Sequence, residues 1–146
     1  MIDYYKCQYH FNASHSFDGN KEQAHSHTFT MILYICNHSG RDMDFKQLDR
    51  MIEIFLGRYE GLYLNELSCF AGNASIEAIG DYFYEQLKIK LSELNAELMQ
   101  LDIGDTPLGV YQVCDRILLP TVNERRSREN LEAILFYKKQ MPDQKK

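Results

Sequence analysis

No segment of this 146-residue chain approaches the 18 or more consecutive apolar residues that a membrane-spanning helix requires, so the chain is not expected to cross a bilayer. Its four cysteines, Cys7, Cys36, Cys69 and Cys114, stand far apart and form no Cys-x-x-Cys pair, which removes thiolate metal knuckles and dithiol redox motifs from consideration. The opening Met1-Ile2-Asp3-Tyr4-Tyr5 has neither a basic segment nor an apolar signal core. The expectation is a cytoplasmic protein with reduced thiols. Positive charge is in deficit: 16 Lys and Arg against 21 Asp and Glu leave a formal net charge of −5, which argues against a broad surface for nucleic acid or anionic membrane. Arg125, Arg126 and Arg128 cluster late in the chain and read as a solvated helix face. Internal repeats and low-complexity linkers are also missing.

What is present suits one ordinary globular domain. The content of 45% hydrophobic and 25% charged residues can bury a core without staples. Tyr4 to Ser14 and His27 to Asn37 are rich in Tyr, Phe, Thr and Ile, and Asp18-Gly19-Asn20 lies between them, so they read as strands of a long hairpin. Asp44 followed by Gln47 resembles a capping box, and Leu48, Met51, Ile52, Phe55 and Leu56 recur at helical spacing up to Gly57. Gly61 to Gly72 reads as irregular. Asn73 to Ser75 offers N-cap side chains for a second helix with Ile76, Ile79, Phe83, Leu87 and Leu91 on its inner stripe, ending near Asn95. Glu97 to Ile103 and Val110 to Cys114 read as two strands joined across Gly104 to Gly109. Asn123 to Gln140 reads as an appended amphipathic helix, and Met141 to Lys146 as a disordered end. The expected division is therefore a domain over residues 1–116 and an extension over 117–146.

Three histidines carry the chemistry. Successive side chains of a strand point to opposite faces, so His25 and His27 share a face and their imidazoles can converge. His15 has the parity of Tyr9, Phe11 and Ala13, and from the neighbouring strand its ring can complete a three-nitrogen corner. Three neutral imidazoles with a fourth position left for water or substrate are the pattern of a catalytic zinc site. Read alone, a His-x-His pair is by default a pair of solvated or hydrogen-bonded histidines, and it is the third histidine that turns the reading toward a metal. His10 has the opposite parity and His38 falls in the Asn37 to Arg41 turn, so neither is expected to be a ligand.

The order of elements, with Phe11-Asn12-Ala13-Ser14-His15, His25-Ser26-His27, Asp44-Phe45 and Leu64-Asn65, resembles the 6-pyruvoyl-tetrahydropterin synthase and 6-carboxytetrahydropterin synthase family over roughly residues 3 to 115. The resemblance implies an α+β T-fold: a four-stranded antiparallel sheet with two helices on one face, in the order strand, strand, helix, helix, strand, strand. It implies His15, His25 and His27 as ligands of Zn²⁺. It further implies a small pterin-like substrate and a homo-oligomer, trimer or hexamer, that closes the sheet edges of single chains into a barrel.

The departures bear on the reaction. Lys21 stands where the bacterial members of the family have a cysteine base, and Glu22 is the candidate replacement in that loop, although a solvated loop glutamate is the simpler reading of it. Gly61 stands where the family has a histidine beside an acidic partner; Glu60 keeps the acid, and no acid–imidazole relay can form around a glycine. A carboxylate that works as a base near neutral pH needs a raised pKa or a metal-acidified substrate hydroxyl. Asp105-Thr106 aligns with the glutamate-threonine pair that anchors the pterin ring in the family, and a turn aspartate is the other reading. Cys69 reads as a lone buried thiol. Ser75 and Glu77, which keep the hydroxyl and acid of another family motif, are equally explained by helix capping. The expected function is a zinc-dependent 6-pyruvoyl/6-carboxytetrahydropterin synthase-like lyase acting on a dihydropterin triphosphate. The alternative is a diverged T-fold protein that binds zinc and a pterin-like or purine-like heterocycle without that reaction.

Overall fold

A computed structural model describes residues 3–17 and 19–115. The expected C-terminal helix, the disordered end and the arginine cluster lie outside the described residues. Strands β1 (Tyr5–His15) and β2 (His25–Asn37) are followed by helices α1 (Phe45–Gly57) and α2 (Ile76–Ser92), then strands β3 (Ala96–Thr106) and β4 (Gly109–Val113). The four strands form one antiparallel sheet in the spatial order β1-β2-β3-β4. This is the α+β architecture expected of the T-fold.

Strand alternation places Phe11, Ala13, Phe29, Met31, Leu33, Leu101 and Ile103 in the core. The helical stripes answer them: Leu48, Ile52 and Phe55 of α1 with Ile79, Phe83, Leu87 and Leu91 of α2 are buried. Burying each of these side chains is worth about 1.5–3 kcal/mol, and their sum, rather than helix propensity, holds the two helices in place. Phe83 packs against Phe11, with centroids 5.6 Å apart, and against Phe55 at 5.0 Å, tying both helices to β1. Gly80 lets α2 approach the sheet closely: a Cβ there would lie 2.8 Å from the Tyr111 ring and 3.0 Å from Ile103.

Helix starts follow their caps. Asp44 Oδ1 accepts from the Gln47 N–H at 3.1 Å, and Ser75 Oγ from the Ala78 N–H at 3.1 Å. Helix α2 ends at Ser92, and Asn95, at φ +55, turns the chain into β3. Gly61 to Gly72 is not wholly irregular; it contains short 3-10 turns at Leu64–Glu66 and Ser68–Phe70.

Most strand boundaries fall within one residue of the sequence reading, and the start of β2 and the end of β3 depart further. Strand β2 begins at His25 rather than His27, because β1 continues to His15 and the two pair to their ends, His15 against His25 and Ala13 against His27. Gly104 to Gly109 is not a free connection: β3 runs through Thr106, an irregularity separates Ile103 from Thr106 in its pairing with β4, and only Pro107 and Leu108 make the turn. Asp105 is therefore a residue of a strand end. The glycine that suggested a break serves close packing, since a Cβ on Gly104 would lie 2.8 Å from the Gly109 carbonyl oxygen.

Candidate metal centre

The pairing of β1 with β2 brings His15, His25 and His27 to one end of the sheet. Their ring centroids form a nearly regular triangle with sides of 5.5, 5.4 and 5.1 Å. One ligand nitrogen from each ring lies within 4.8 Å of the other two, a cluster able to hold a metal ion. Phe29 floors the cluster, with its ring 5.3 Å from that of His15 and 6.2 Å from that of His27. Exposure rises from buried His15 through half-buried His27 to exposed His25, so the corner opens outward.

His15 is the most strictly held. Its Nδ1 donates to the Ala74 carbonyl at 2.8 Å, across 59 residues of sequence, which leaves Nε2 as the acceptor. Nε2 is buried and, among the described residues, has no hydrogen-bond partner. A buried acceptor without a donor is unfavourable unless a cation completes it, and a second-shell carbonyl on the other nitrogen is how metal-bound histidines are commonly oriented. The donor set of three imidazoles suits Zn²⁺. Ala74 comes into place because Ser75 caps α2 and because Asn65, buried in the preceding loop, donates to the Gly72 carbonyl at 2.9 Å and bonds the backbone of Ser16.

Asp105 reaches the same corner from β3. Its Oδ2 lies 3.3 Å from His15 Nε2 and 3.8 Å from His27 Nε2. It also lines a cavity of about 410 Å³ together with His10, Thr28, Thr30, Asp102 and Thr106. That volume falls in the range of small-molecule sites. His10, as its parity required, belongs to the cavity and not to the triangle, and His38 contacts Glu97 elsewhere, with Nε2 3.1 Å from Oε1. Asp102 is buried in the cavity wall, where it accepts from Tyr34 Oη at 2.8 Å and Gln100 Nε2 at 2.7 Å.

The positions that depart from the family pattern have other partners. Lys21 Nζ pairs with Glu66 at 2.9 Å, and that hydrogen bond raises its pKa. Glu22, exposed, stands in the short turn Lys21–Gln23, whose first turn is capped by Asn20 Oδ1 accepting from the Glu22 N–H. Glu60 accepts from the backbone N–H of Asn12 at 2.9 Å and from Asn12 Nδ2 at 3.0 Å, and these bonds lower its pKa. Gly61, at φ +74, donates its N–H to the Asn12 carbonyl at 2.7 Å. Burial pushes the Cys69 thiol up, away from the thiolate. Sequence reasoning assigned the three histidines, but it missed that Asp105 approaches the Nε2 atoms of His15 and His27 and that a backbone carbonyl orients His15.

Comparison with solved structures finds the same fold. The Caenorhabditis elegans 6-pyruvoyl tetrahydropterin synthase matches with a TM-score of 0.65 at 17% identity, over 80% of this chain and 97% of that one. An uncharacterised protein of Wolinella succinogenes matches at 0.59 and 13% identity, over 80% and 99%. A variant of the Plasmodium vivax 6-pyruvoyltetrahydropterin synthase with a catalytic glutamate changed to cysteine matches at 0.57 and 16% identity, over 80% and 99%. Comparison with curated protein sequences yields no match. The family model for 6-pyruvoyl tetrahydropterin synthase matches residues 4–115, which include all three histidines, Asp105 and every strand and helix described above. This chain belongs to the 6-pyruvoyl tetrahydropterin synthase family.

Proposed function

We propose that this protein is a zinc-dependent carbon–oxygen lyase of the 6-pyruvoyl/6-carboxytetrahydropterin synthase type acting on a dihydropterin triphosphate. The observation that carries this reading is the convergence of three imidazoles at one end of the sheet, one of them with a buried acceptor that has no hydrogen-bond partner among the described residues. Zinc bound to His15, His25 and His27 supplies Lewis acidity toward oxygens of the substrate side chain. The cavity takes the heterocycle, with Asp105 and Thr106 as its polar contacts: a carboxylate accepts from ring N–H groups and a hydroxyl can do either. Residues 1–116 form the metal- and substrate-binding domain in this proposal.

Glu22 is the proposed base. Glu60 is the weaker candidate because its two bonds from Asn12 favour the carboxylate and make it less basic. The catalytic glutamate of the Plasmodium vivax relative supports a carboxylate in this role. The protein is proposed to act in the cytoplasm, consistent with its four free thiols, and no helix among the described residues is long and apolar enough to cross a membrane. Strands β1 and β4 are the sheet edges, and their pairing between copies would give a trimer or hexamer.

A second reading, a zinc- and heterocycle-binding protein without the reaction, is favoured by the state of Lys21, Glu60 and Gly61. Each is engaged in a contact unrelated to proton transfer. Purified, zinc-loaded protein given 7,8-dihydroneopterin triphosphate separates the two. Release of triphosphate with a new tetrahydropterin product supports the lyase; pterin binding without turnover supports the second reading. Neither binding nor turnover contradicts both.

A further inference from the structure

We infer that Glu60, the acid kept beside the lost histidine, acts through Asn12 to hold the Thr28 hydroxyl as an acceptor in the cavity, so that the cavity selects heterocycles presenting an amino group. The inference deepens the proposed function and rests only on its placement of the heterocycle in that cavity.

The contacts run across two strands. Glu60 Oε2 accepts from the Asn12 backbone N–H at 2.9 Å, and its Oε1 accepts from Asn12 Nδ2 at 3.0 Å. Thr28 Oγ1 donates to Asn12 Oδ1 at 2.7 Å. Asn12 and Thr28 are direct partners in the pairing of β1 with β2, so their side chains stand side by side on one face of the sheet. Thr28 in turn lines the cavity.

Each hydrogen in this chain of contacts has one place to go. A carboxylate only accepts, so the Asn12 amide turns its NH₂ toward Glu60 and its oxygen toward Thr28. That oxygen takes the single hydroxyl hydrogen of Thr28. With its proton spent on Asn12, Thr28 Oγ1 meets the cavity with lone pairs alone. Removing the carboxylate frees the amide to reverse, which places Nδ2 against Thr28 and turns the hydroxyl hydrogen toward the cavity. Glu60 is thus a positioning residue. The backbone fixes it in that role: the Gly61 N–H donates to the Asn12 carbonyl at 2.7 Å and the Ser14 N–H to the Leu62 carbonyl at 3.0 Å, so the segment that carries Glu60 lies along the outer edge of β1.

The charged groups of the lining have the same sense. Asp102, 5% exposed in the cavity wall, accepts from Tyr34 Oη and Gln100 Nε2 and forms no ion pair with a cationic side chain among the described residues. Asp105 is the second carboxylate of the lining, and the described lining residues include no lysine or arginine. Such a wall repels the triphosphate end of a ligand and pairs with N–H groups. A carbonyl in place of the amino group sets acceptor against acceptor and leaves both without a hydrogen, the arrangement by which polar sites reject an analogue.

The test measures binding of pterin, and of lumazine, in which a carbonyl replaces the amino group of pterin, to the full zinc-loaded chain by fluorescence titration. Circular dichroism establishes that each variant is folded. The parent is expected to bind pterin at least about tenfold more tightly than lumazine. Thr28→Val keeps the shape and removes the acceptor; the preference for pterin falls about three- to tenfold, and Thr28→Ser retains it. Glu60→Leu, which leaves Thr28 in place, lowers the preference in the same direction. A parent that binds both compounds equally, or a Thr28→Val protein with the parental preference, overturns the inference. Equal losses for both compounds in Thr28→Val also overturn it, because they mark a structural role. Glu60→Leu with the parental preference overturns the coupling through Asn12. Any of these results with pterin still bound by the parent leaves the cavity as the heterocycle site, whereas a parent that binds neither compound removes that placement and this inference together.

Discussion

Asn65 holds Ser16 by both of its backbone groups: its Oδ1 accepts from the Ser16 N–H at 3.0 Å, and its Nδ2 donates to the Ser16 carbonyl at 3.0 Å. Ser16 directly follows His15, and the same Nδ2 donates to the Gly72 carbonyl two residues before Ala74. One amide thus fixes the end of β1 against the segment whose carbonyl orients the His15 ring.

Asn65→Ala is expected to unfold more easily and to bind metal more weakly. Loss of the amide leaves the Ser16 N–H and carbonyl without partners in a buried place, which costs about 1–3 kcal/mol. Urea unfolding checks the stability, and competition with a chromophoric chelator checks zinc affinity. Parental affinity in a folded Asn65→Ala protein would show that the His15 ring is held without this clamp.

The split between what was and was not legible follows the range of the interactions. The histidine triangle depends on strand parity and one hairpin, both written into local alternation, so Phe11, His15, His25 and His27 could be placed from the chain alone. The helices were legible because Leu48 to Leu56 and Ile76 to Leu91 repeat at helical spacing behind Asp44 and Ser75 caps. Asp105 stood open between a ring-binding residue and a turn aspartate because Gly104 and Pro107 carry a local turn signal, while the reason for Gly104 is a contact with the Gly109 carbonyl across the hairpin. The approach of Asp105 to two imidazoles depends on the pairing of β2 with β3 across two intervening helices, and no local pattern encodes that register. The Ala74 carbonyl is backbone and leaves no trace in side-chain identity.

Restoring the family histidine at residue 61 is expected to fail as a gain of function. Gly61 sits at φ +74 with nothing within 4 Å of a Cβ, so the space exists and the backbone conformation is the obstacle. A left-handed conformation disfavours an L-residue by about 1–2 kcal/mol. Gly61→His should therefore lower unfolding free energy by that amount, read by urea denaturation, with no new turnover of 7,8-dihydroneopterin triphosphate. Unchanged stability would mean that the loop relaxes to a right-handed conformation on substitution.

Glu60 gives a pH dependence with a definite sign. Its pKa is lowered in the folded protein from the ordinary 4.5, first by the backbone bond from Asn12 and then by the side-chain bond. A depressed folded pKa contributes stability that is fully present above about 4.5 and is lost as pH falls through the folded value. Glu60 is exposed, so solvent screening keeps the contribution small. The melting temperature of the parent minus that of Glu60→Gln should be positive at pH 7 and shrink below pH 4.5. A difference that grows on acidification would contradict the assigned bonds.

The central claim is that His15, His25 and His27 together hold one divalent metal. Elemental analysis of protein purified after zinc loading and exhaustive dialysis tests it directly, with His15→Ala, His25→Ala and His27→Ala beside the parent and circular dichroism to establish folding. The account expects about one zinc per chain in the parent, as for a single mononuclear site, and a large loss in each folded variant. A parent without zinc, or a folded His27→Ala protein with the parental content, would contradict it.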